Sequence, residues 1–526
     1  MTLPPLIEAL LDPASYADPP ERVELVQTHI SYIFLTPRLV YKVKKPLDLG
    51  FLDFSTLEKR LRCCTEEVRL NRRFSKGVYL GVAAVTARDG SFVMEGEGSA
   101  VEYAVKMRRL PAESMLSALI ERGEAGAATV ERIARAVASF HAATRTDRRI
   151  ARYGRPEAVR ANTDENFAQT RRFRGRTVTA ESYEEIRAYT DRFLAEKRGL
   201  LEGRVAGGHI RDCHGDLHSE HISVTDGINI IDCIEFNERF RYGDRAADIA
   251  FLSMDLDCRG RGDLSQRLDR AYFEAADDED GPLLMDFYRC YRAYVRGKVE
   301  SFRYEEPEVP ASERRLAALS AARHFHLARL YATGGFRPDL LVVCGLTGTG
   351  KSTLAAALSG LTAMPVLSSD IVRKELTGTP RRTRRLDPYG KGIYAPEITA
   401  RTYDELVARA ERLLAERRPV IVDATFTKKE FMERAAAAAA RRGARFLVVR
   451  CTAPEEEIKR RLERRFGAGE TAPAVSDGRW EIYVRQKAAA DGFEAHLTVD
   501  TSAPLERSCD RVLSLLYSIP PEALSL

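Results

Sequence analysis

Gly345-Leu346-Thr347-Gly348-Thr349-Gly350-Lys351-Ser352, preceded by the apolar run Leu340 to Cys344 and followed by Thr353-Leu354-Ala355-Ala356-Ala357-Leu358, decides how the last third of this chain folds. The spacing G-x-x-x-x-G-K-[ST] between a strand-like and a helix-like stretch is that of a phosphate-cradling loop. Glycines let main-chain N–H groups converge on phosphate oxygens, and the helix N-terminus adds positive potential there. Lys351 would reach the terminal phosphates and Ser352 would offer an oxygen to magnesium. Gly345, Thr347, Gly348, Thr349, Gly350, Lys351, Ser352 and Thr353 are therefore the expected contacts of ATP. The bland alternative is a glycine-rich turn carrying a solvated lysine.

Beyond this loop, strand-like runs (LLVVCG, PVLSSD, PVIVDA, RFLVVRC, HLTVD) alternate with helical segments. That alternation predicts an α/β domain with a parallel sheet and crossover helices over residues 339–526. Asp370 and Arg373, three apart, would share a helix face, the carboxylate taking a substrate hydroxyl proton and the guanidinium holding an anionic group. A capping acid with an i,i+3 ion pair fits the same residues. Asp423 ends the run Val420-Ile421-Val422, where a carboxylate could order a metal's water shell or simply cap a helix. In the helix Glu455 to Arg465, Glu456 is expected to pair with Arg460 and Glu457 with Arg461. Arg464 and Arg465 face arginines four residues earlier, so they predict either a phosphate-facing lid or a solvated basic face.

Upstream, Gly334-Gly335-Phe336-Arg337-Pro338 reads as a linker after a long helix, Ala311 to Thr333. Residues 1–333 then form the first domain. HISYIFL and RLVYKVKK, joined at Thr36-Pro37-Arg38, predict a hairpin, and a helix is expected from Ser55 to Phe74. From Met115 helical spacing takes over, broken by a compact stretch from His209 to Glu235. The domain is expected to be α+β, a small sheet lobe followed by a helical lobe. Within the break, His214-Gly215-Asp216-Leu217-His218-Ser219-Glu220-His221 and the later Asp232 follow the spacing of a kinase catalytic loop and its metal-binding carboxylate. Asp216 would orient and deprotonate a hydroxyl while Asp232 holds magnesium.

The chain has 526 residues, 44% apolar and 30% charged, enough for several domain-sized units with real cores. Its net charge of +5 falls entirely within Asp339 to Leu526, with 30 basic against 25 acidic residues. So small an excess argues against a nucleic-acid-coating protein and leaves room for a local anion site. Nine cysteines, scattered and without a C-x-x-C pair, suggest neither a zinc ribbon nor a disulfide framework. No secretory leader and no membrane span are read, so a reduced, cytoplasmic setting is expected.

Residues 339 to 520 resemble the small P-loop kinases, namely gluconate kinase, the zeta-toxin group and the kinase half of polynucleotide kinase. The likeness lies in GLTGTGKST, SSDIVRKEL, IVDATF and RRLERRFG followed by Ser476-Asp477. It implies that Asp370 serves as base or substrate holder and that Arg464 and Arg465 grip the transferring phosphoryl group. Residues 25 to 333 resemble the aminoglycoside phosphotransferase and choline kinase group, whose fold is kinase-like. That likeness implies a strand lysine on the nucleotide phosphates, with Lys42 the first choice over Lys44 on the same strand face, and Glu67 as its orienting partner. An edge-strand lysine is the plain alternative for Lys42.

One departure matters. His221 stands where that group carries Asn, and imidazole is a poor magnesium ligand, so Glu220 or Glu235 would have to compensate. A metal cluster of His214, His218 and His221 is the other reading. The whole chain resembles a bacterial type in which the two domains are fused, which implies ATP- and Mg2+-dependent phosphoryl transfer to an unidentified small hydroxyl-bearing acceptor. Two rivals stand beside it. In one the first domain is a ligand-sensing pseudokinase. In the other the chain is a polynucleotide 5′-end kinase, prompted by Arg381, Arg382, Arg384 and Arg385.

Overall fold

The computed structural model describes residues 3–88, 91–225, 227–381, 383, 387–388, 390–467, 478–520 and 523–524. The chain parts into two units. One comprises Met1–Glu165, Thr190–Asp255 and Leu264–Arg292, the other Asn166–Tyr189, Leu256–Asp263 and Ala293–Leu526.

In the first unit, β1 (Glu24–Gln27), β2 (Ser31–Leu35), β3 (Leu39–Lys44), β4 (Tyr79–Arg88), β5 (Ser91–Met94) and β6 (Ala100–Arg108) make an antiparallel sheet ordered β1-β2-β3-β6-β4-β5. The expected hairpin is β2–β3, running from Ser31 opposite Lys44 to Leu35 opposite Val40. Thr36 fixes its turn: the hydroxyl donates to the Leu39 carbonyl at 3.0 Å and accepts from the Leu39 N–H at 2.9 Å. Because side chains alternate along β3, Tyr41 and Val43 join Phe34, Val85 and Ala104 in one core while Lys42 and Lys44 face the other way. The helix Leu57–Asn71, capped by Thr56 on the Lys59 N–H, covers that second face. Cys64 and Val68 pack there against Tyr79, Val105 and Met107, which carries Glu67 to the lysines. Strands β1 and β5 were not foreseen, because each is only four residues long.

Two short antiparallel ribbons flank the stretch His214 to His221. β7 (Ile210–Asp212) and β10 (Tyr242–Asp244) form one, β8 (Ile222–Val224) and β9 (Ile228–Ile230) the other. Helices make up most of the remainder of this unit.

In the second unit, β11 (Asp339–Cys344), β12 (Val366–Ser368), β13 (Val420–Ala424), β14 (Arg445–Thr452) and β15 (Leu497–Asp500) form the expected parallel sheet, ordered β12-β13-β11-β14-β15. Leu340, Val342 and Cys344 pack with Tyr403 and Leu406 on one face, and Leu341 and Val343 with Leu354 and Leu358 on the other. Both faces are covered, which is why the strand reads as an unbroken apolar run. β11 lies between β13 and β14, the place where strand order reverses and where open α/β sheets bind ligands at their C-terminal ends.

The helix Ala311–Ala332, read from the sequence as the end of the first domain, groups with this second unit. Its small residues Ala317, Ala318 and Ala322 approach the sheet closely and share a core with Leu341 and Val343. No helix among the described residues is long and apolar enough to cross a membrane.

Candidate active sites

At the end of β11 the chain turns at Gly345 with φ 147°, where a Cβ would come within 2.6 Å of the Cys451 carbonyl oxygen. Gly350 caps the next helix in the left-handed region, with φ 81°. Any other residue would be strained at either place, so both glycines are dictated by the backbone path. The loop is pinned from outside. The Thr349 hydroxyl donates to the Leu346 carbonyl at 2.8 Å, and Thr501 donates to the Thr349 carbonyl at 2.8 Å. The Thr347 N–H donates to Gln486 Oε1 at 2.9 Å.

Lys351 opens the helix and is buried, with 9% of its surface exposed. Ser352 and Thr353 follow it on the exposed side. Asp423, in register with Val343 and Ser368, is buried beside them. Burial raises its pKa, opposed by the Lys351 charge and by the Ser352 and Ser368 hydroxyls. Its Oδ1 has no hydrogen-bond partner among the described residues. A buried carboxylate oxygen without a partner, next to a serine and an ammonium, suits a hydrated divalent cation accompanying phosphates.

Asp370 and Arg373 lie on the helix Ser369–Leu376, but no ion pair joins them among the described residues. Arg373 is buried over the Tyr394 ring and donates to the Ile393 carbonyl and Thr399 Oγ1, both at 3.0 Å, leaving Nε unpartnered. The guanidinium thus spends one end on holding the following segment. On the helix Glu455–Gly467, Arg461 pairs with Glu457 at 2.7 Å as expected. Arg460 turns to Glu457 as well rather than to Glu456, so the predicted Glu456 pair does not form. Arg461 also donates to Thr501, to the hydroxyl at 3.0 Å and to the carbonyl at 2.6 Å, which ties this helix to the loop. Arg464 is exposed and Arg465 half-buried. Burial and the like charges of Arg461 and Arg464 lower the Arg465 pKa, with Asp370 opposing. Arg381 pairs with Glu375 at 2.6 Å. Arg382, Arg384, Arg385, Ser476 and Asp477 lie outside the described residues.

In the first unit the second predicted constellation also assembles. Glu67, fully buried, takes Lys42 on Oε1 at 3.0 Å and Lys44 on Oε2 at 2.7 Å. Lys42 also pairs with Asp232, and Lys44 with Glu235 at 2.5 Å. Burial alone would lower the Lys42 pKa, but Asp232, Glu67 and Glu235 outweigh it and hold the ammonium well above its usual range. Asp232 is held well below the ordinary carboxylate range, the Lys42 charge overcoming its burial. Its backbone is left-handed, φ 64°, fixed by its N–H donating to the Tyr79 hydroxyl at 3.0 Å.

Asp216 is set by its neighbours. Gly215 and His214 donate their N–H groups to Asp248 at 2.8 and 2.9 Å, and His141 lies 3.1 Å from the same carboxylate. His214 Nε2 donates to the Ile231 carbonyl at 2.9 Å, so its Nδ1 accepts the Asp216 N–H at 3.3 Å. Burial pushes His214 down to about 4, which keeps this ring neutral. His214 therefore does not join His218 and His221 as the sequence alternative supposed. Among the described residues, two groups have donor atoms that all lie within 4.8 Å of one another, Asp216 with His218 and His221, and His141 with Cys213 and Asp248.

Sequence reasoning missed Gln486 and Thr501. Each meets the loop from more than a hundred residues downstream, and no local pattern marks either.

Residues 60–288 match the phosphotransferase enzyme family, and residues 340–488 match an AAA domain. An uncharacterised protein of Mycobacterium tuberculosis is 31% identical over 489 residues, covering 92% of this chain and 94% of the relative, and one from Mycobacterium bovis matches equally. The chain belongs to their two-part family. Its phosphotransferase half and its P-loop half make it an ATP-dependent kinase-type enzyme. Among solved structures, a choline/ethanolamine kinase family protein from Mesorhizobium loti is similar at 12% identity and TM-score 0.35, covering 58% of this chain and 92% of that one. A gluconokinase from Sinorhizobium meliloti is similar at 19% identity and TM-score 0.25, covering 35% and 95%.

Proposed function

We propose that the second unit transfers the terminal phosphoryl group of ATP to a hydroxyl of a small molecule. The observation that carries this reading is Lys351, buried behind two left-handed glycines and beside the unpartnered oxygen of Asp423. Lys351 and the main-chain N–H groups from Thr347 to Ser352 hold the phosphates. Ser352 and Asp423 would hold magnesium, which would supply charge neutralisation. Asp370 takes the proton of the acceptor hydroxyl as its oxygen bonds to phosphorus and the bond to ADP breaks. Arg464 and Arg465 neutralise charge on the moving group, and Arg373 positions the segment around Ile393 that lines the acceptor side. Residues 334–338 then lead into this kinase, 339–526, from the helix Ala311–Ala332 that groups with it.

The first domain carries the same class of parts, with Lys42 and Glu67 for phosphates, Asp216 as base, and Asp232 with His221 toward a cation. A second reading, that it senses a ligand without transferring phosphate, is favoured by the pairing of Lys42 with Asp232 and by His221. Screening hydroxyl metabolites for ATP consumption with wild type, Lys351→Ala and Asp216→Ala separates them. Loss in Lys351→Ala alone supports transfer in the second unit, and loss in Asp216→Ala alone overturns it. Calorimetry on the full chain adds a count, since two magnesium-dependent ATP sites would remove the sensing reading.

A further inference from the structure

We infer that the cation site of the first domain is built for a transition metal, held by Asp216, His218 and His221 with Asp232 alongside. The inference rests on the kinase-like reading of this domain only for the position of the site. A magnesium site is made of oxygens and keeps several waters. Here two of the four groups are imidazoles, a donor set that suits zinc, manganese or cobalt better.

Two separations fit one ion. His218 Nε2 lies 3.5 Å from Asp216 Oδ2, and His221 Nε2 lies 3.6 Å from Asp232 Oδ2. Each is too long for a hydrogen bond. Donors around a tetrahedral ion with bonds of about 2.0–2.1 Å stand roughly 3.3–3.5 Å apart.

The tautomer agrees. His221 Nδ1 is 2.9 Å from the Asp216 carbonyl oxygen, which can only accept, so Nδ1 carries the proton. Nε2 is left with its lone pair toward the Asp232 carboxylate. Two acceptors facing each other across 3.6 Å leave a place for a positive ion at Asp232 Oδ2, the oxygen that Lys42 does not take. A ring whose far nitrogen is tied to a carbonyl is also the usual way a metal-binding histidine is oriented. His218 is buried and packs on His221 with the rings tilted at 37° and 3.9 Å between their centres, so both imidazoles are held in place.

The test uses untagged full-length protein, stripped with chelator and free of nucleotide, titrated with Co2+ and followed by its visible ligand-field absorption. Wild type should take up about one equivalent with the intense bands of a four-coordinate ion, and His218→Ala with His221→Ala should abolish them. His221→Asn, which keeps a polar side chain there, should weaken Co2+ binding about tenfold or more. A wild type without stoichiometric Co2+ bands overturns the inference, as does a His221→Asn protein that binds Co2+ as wild type does. Both outcomes are read without ATP. Failure of phosphoryl transfer with Co2+ uptake intact would sink the functional reading and leave the metal site standing.

Discussion

Lys42 and Lys351, the two candidate phosphate lysines, are each 9% exposed, yet they are in opposite electrostatic states. Lys42 is clasped by Glu67 and Asp232. Lys351 makes no ion pair among the described residues and faces a carboxylate whose pKa is raised. A buried ammonium that is already paired has little to gain from an anion, whereas an unpaired one is preorganised for it. Burial alone therefore does not mark a working phosphate lysine. The partners decide.

The largest expected effect breaks this comparison most directly. Lys351→Ala should lower ATP turnover by about a hundredfold to a thousandfold, the usual cost of removing one preorganised contact to developing charge. Lys42→Ala should lower it less than about tenfold, since that lysine gives up as much pairing as it gains. Steady-state turnover with a found acceptor measures both. Equal losses would show that pairing is no guide to which site works.

Stability should divide the other way. Glu67→Gln leaves two buried ammoniums without their shared partner and should cost about 3–5 kcal/mol in urea unfolding. Asp423→Asn should cost nothing or stabilise the nucleotide-free protein at pH 7. The sign follows from its raised pKa. The folded state binds the Asp423 proton more readily than the unfolded state, so stability is lost as pH rises through the folded pKa. The asparagine variant should flatten that slope, and a slope equal to wild type would remove the account of Asp423.

What the sequence made legible follows from how local each signal is. The loop at Gly345, the five parallel strands and the hairpin carrying Lys42 are written in contiguous residues, and each stands as read. Lys42, Glu67 and Asp232 come together from segments up to 190 residues apart because each motif points to the same kinase-like frame. The misreadings are those of tertiary choice. Arg460 turned to Glu457 rather than Glu456, since both lie one helical turn back and rotamer decides. His214 left the other histidines because Ile231 and Asp248, brought in by separate elements, took its ring and its backbone. The helix Ala311–Ala332 sided with the second unit because its small-residue face matches the sheet there, which helical periodicity alone does not tell.

The smallest expected effect sharpens the comparison at the open site. The Thr347 N–H belongs to the loop whose amides converge on phosphate, and it is satisfied by Gln486 at 2.9 Å. A phosphate oxygen that takes this proton must first displace a neutral carboxamide, whereas the corresponding step in the first unit displaces the Asp232 carboxylate from Lys42. Gln486→Ala removes the competitor and leaves a buried N–H that only nucleotide can satisfy. ATP should then bind more tightly by roughly 0.5–1.5 kcal/mol, about twofold to tenfold, while the nucleotide-free variant loses about 1–3 kcal/mol of stability. Isothermal titration on both proteins reads the difference. Weaker binding would place Gln486 among the groups that hold the nucleotide rather than those it displaces, and the second site would then be closed by less than the first only in charge, not in kind.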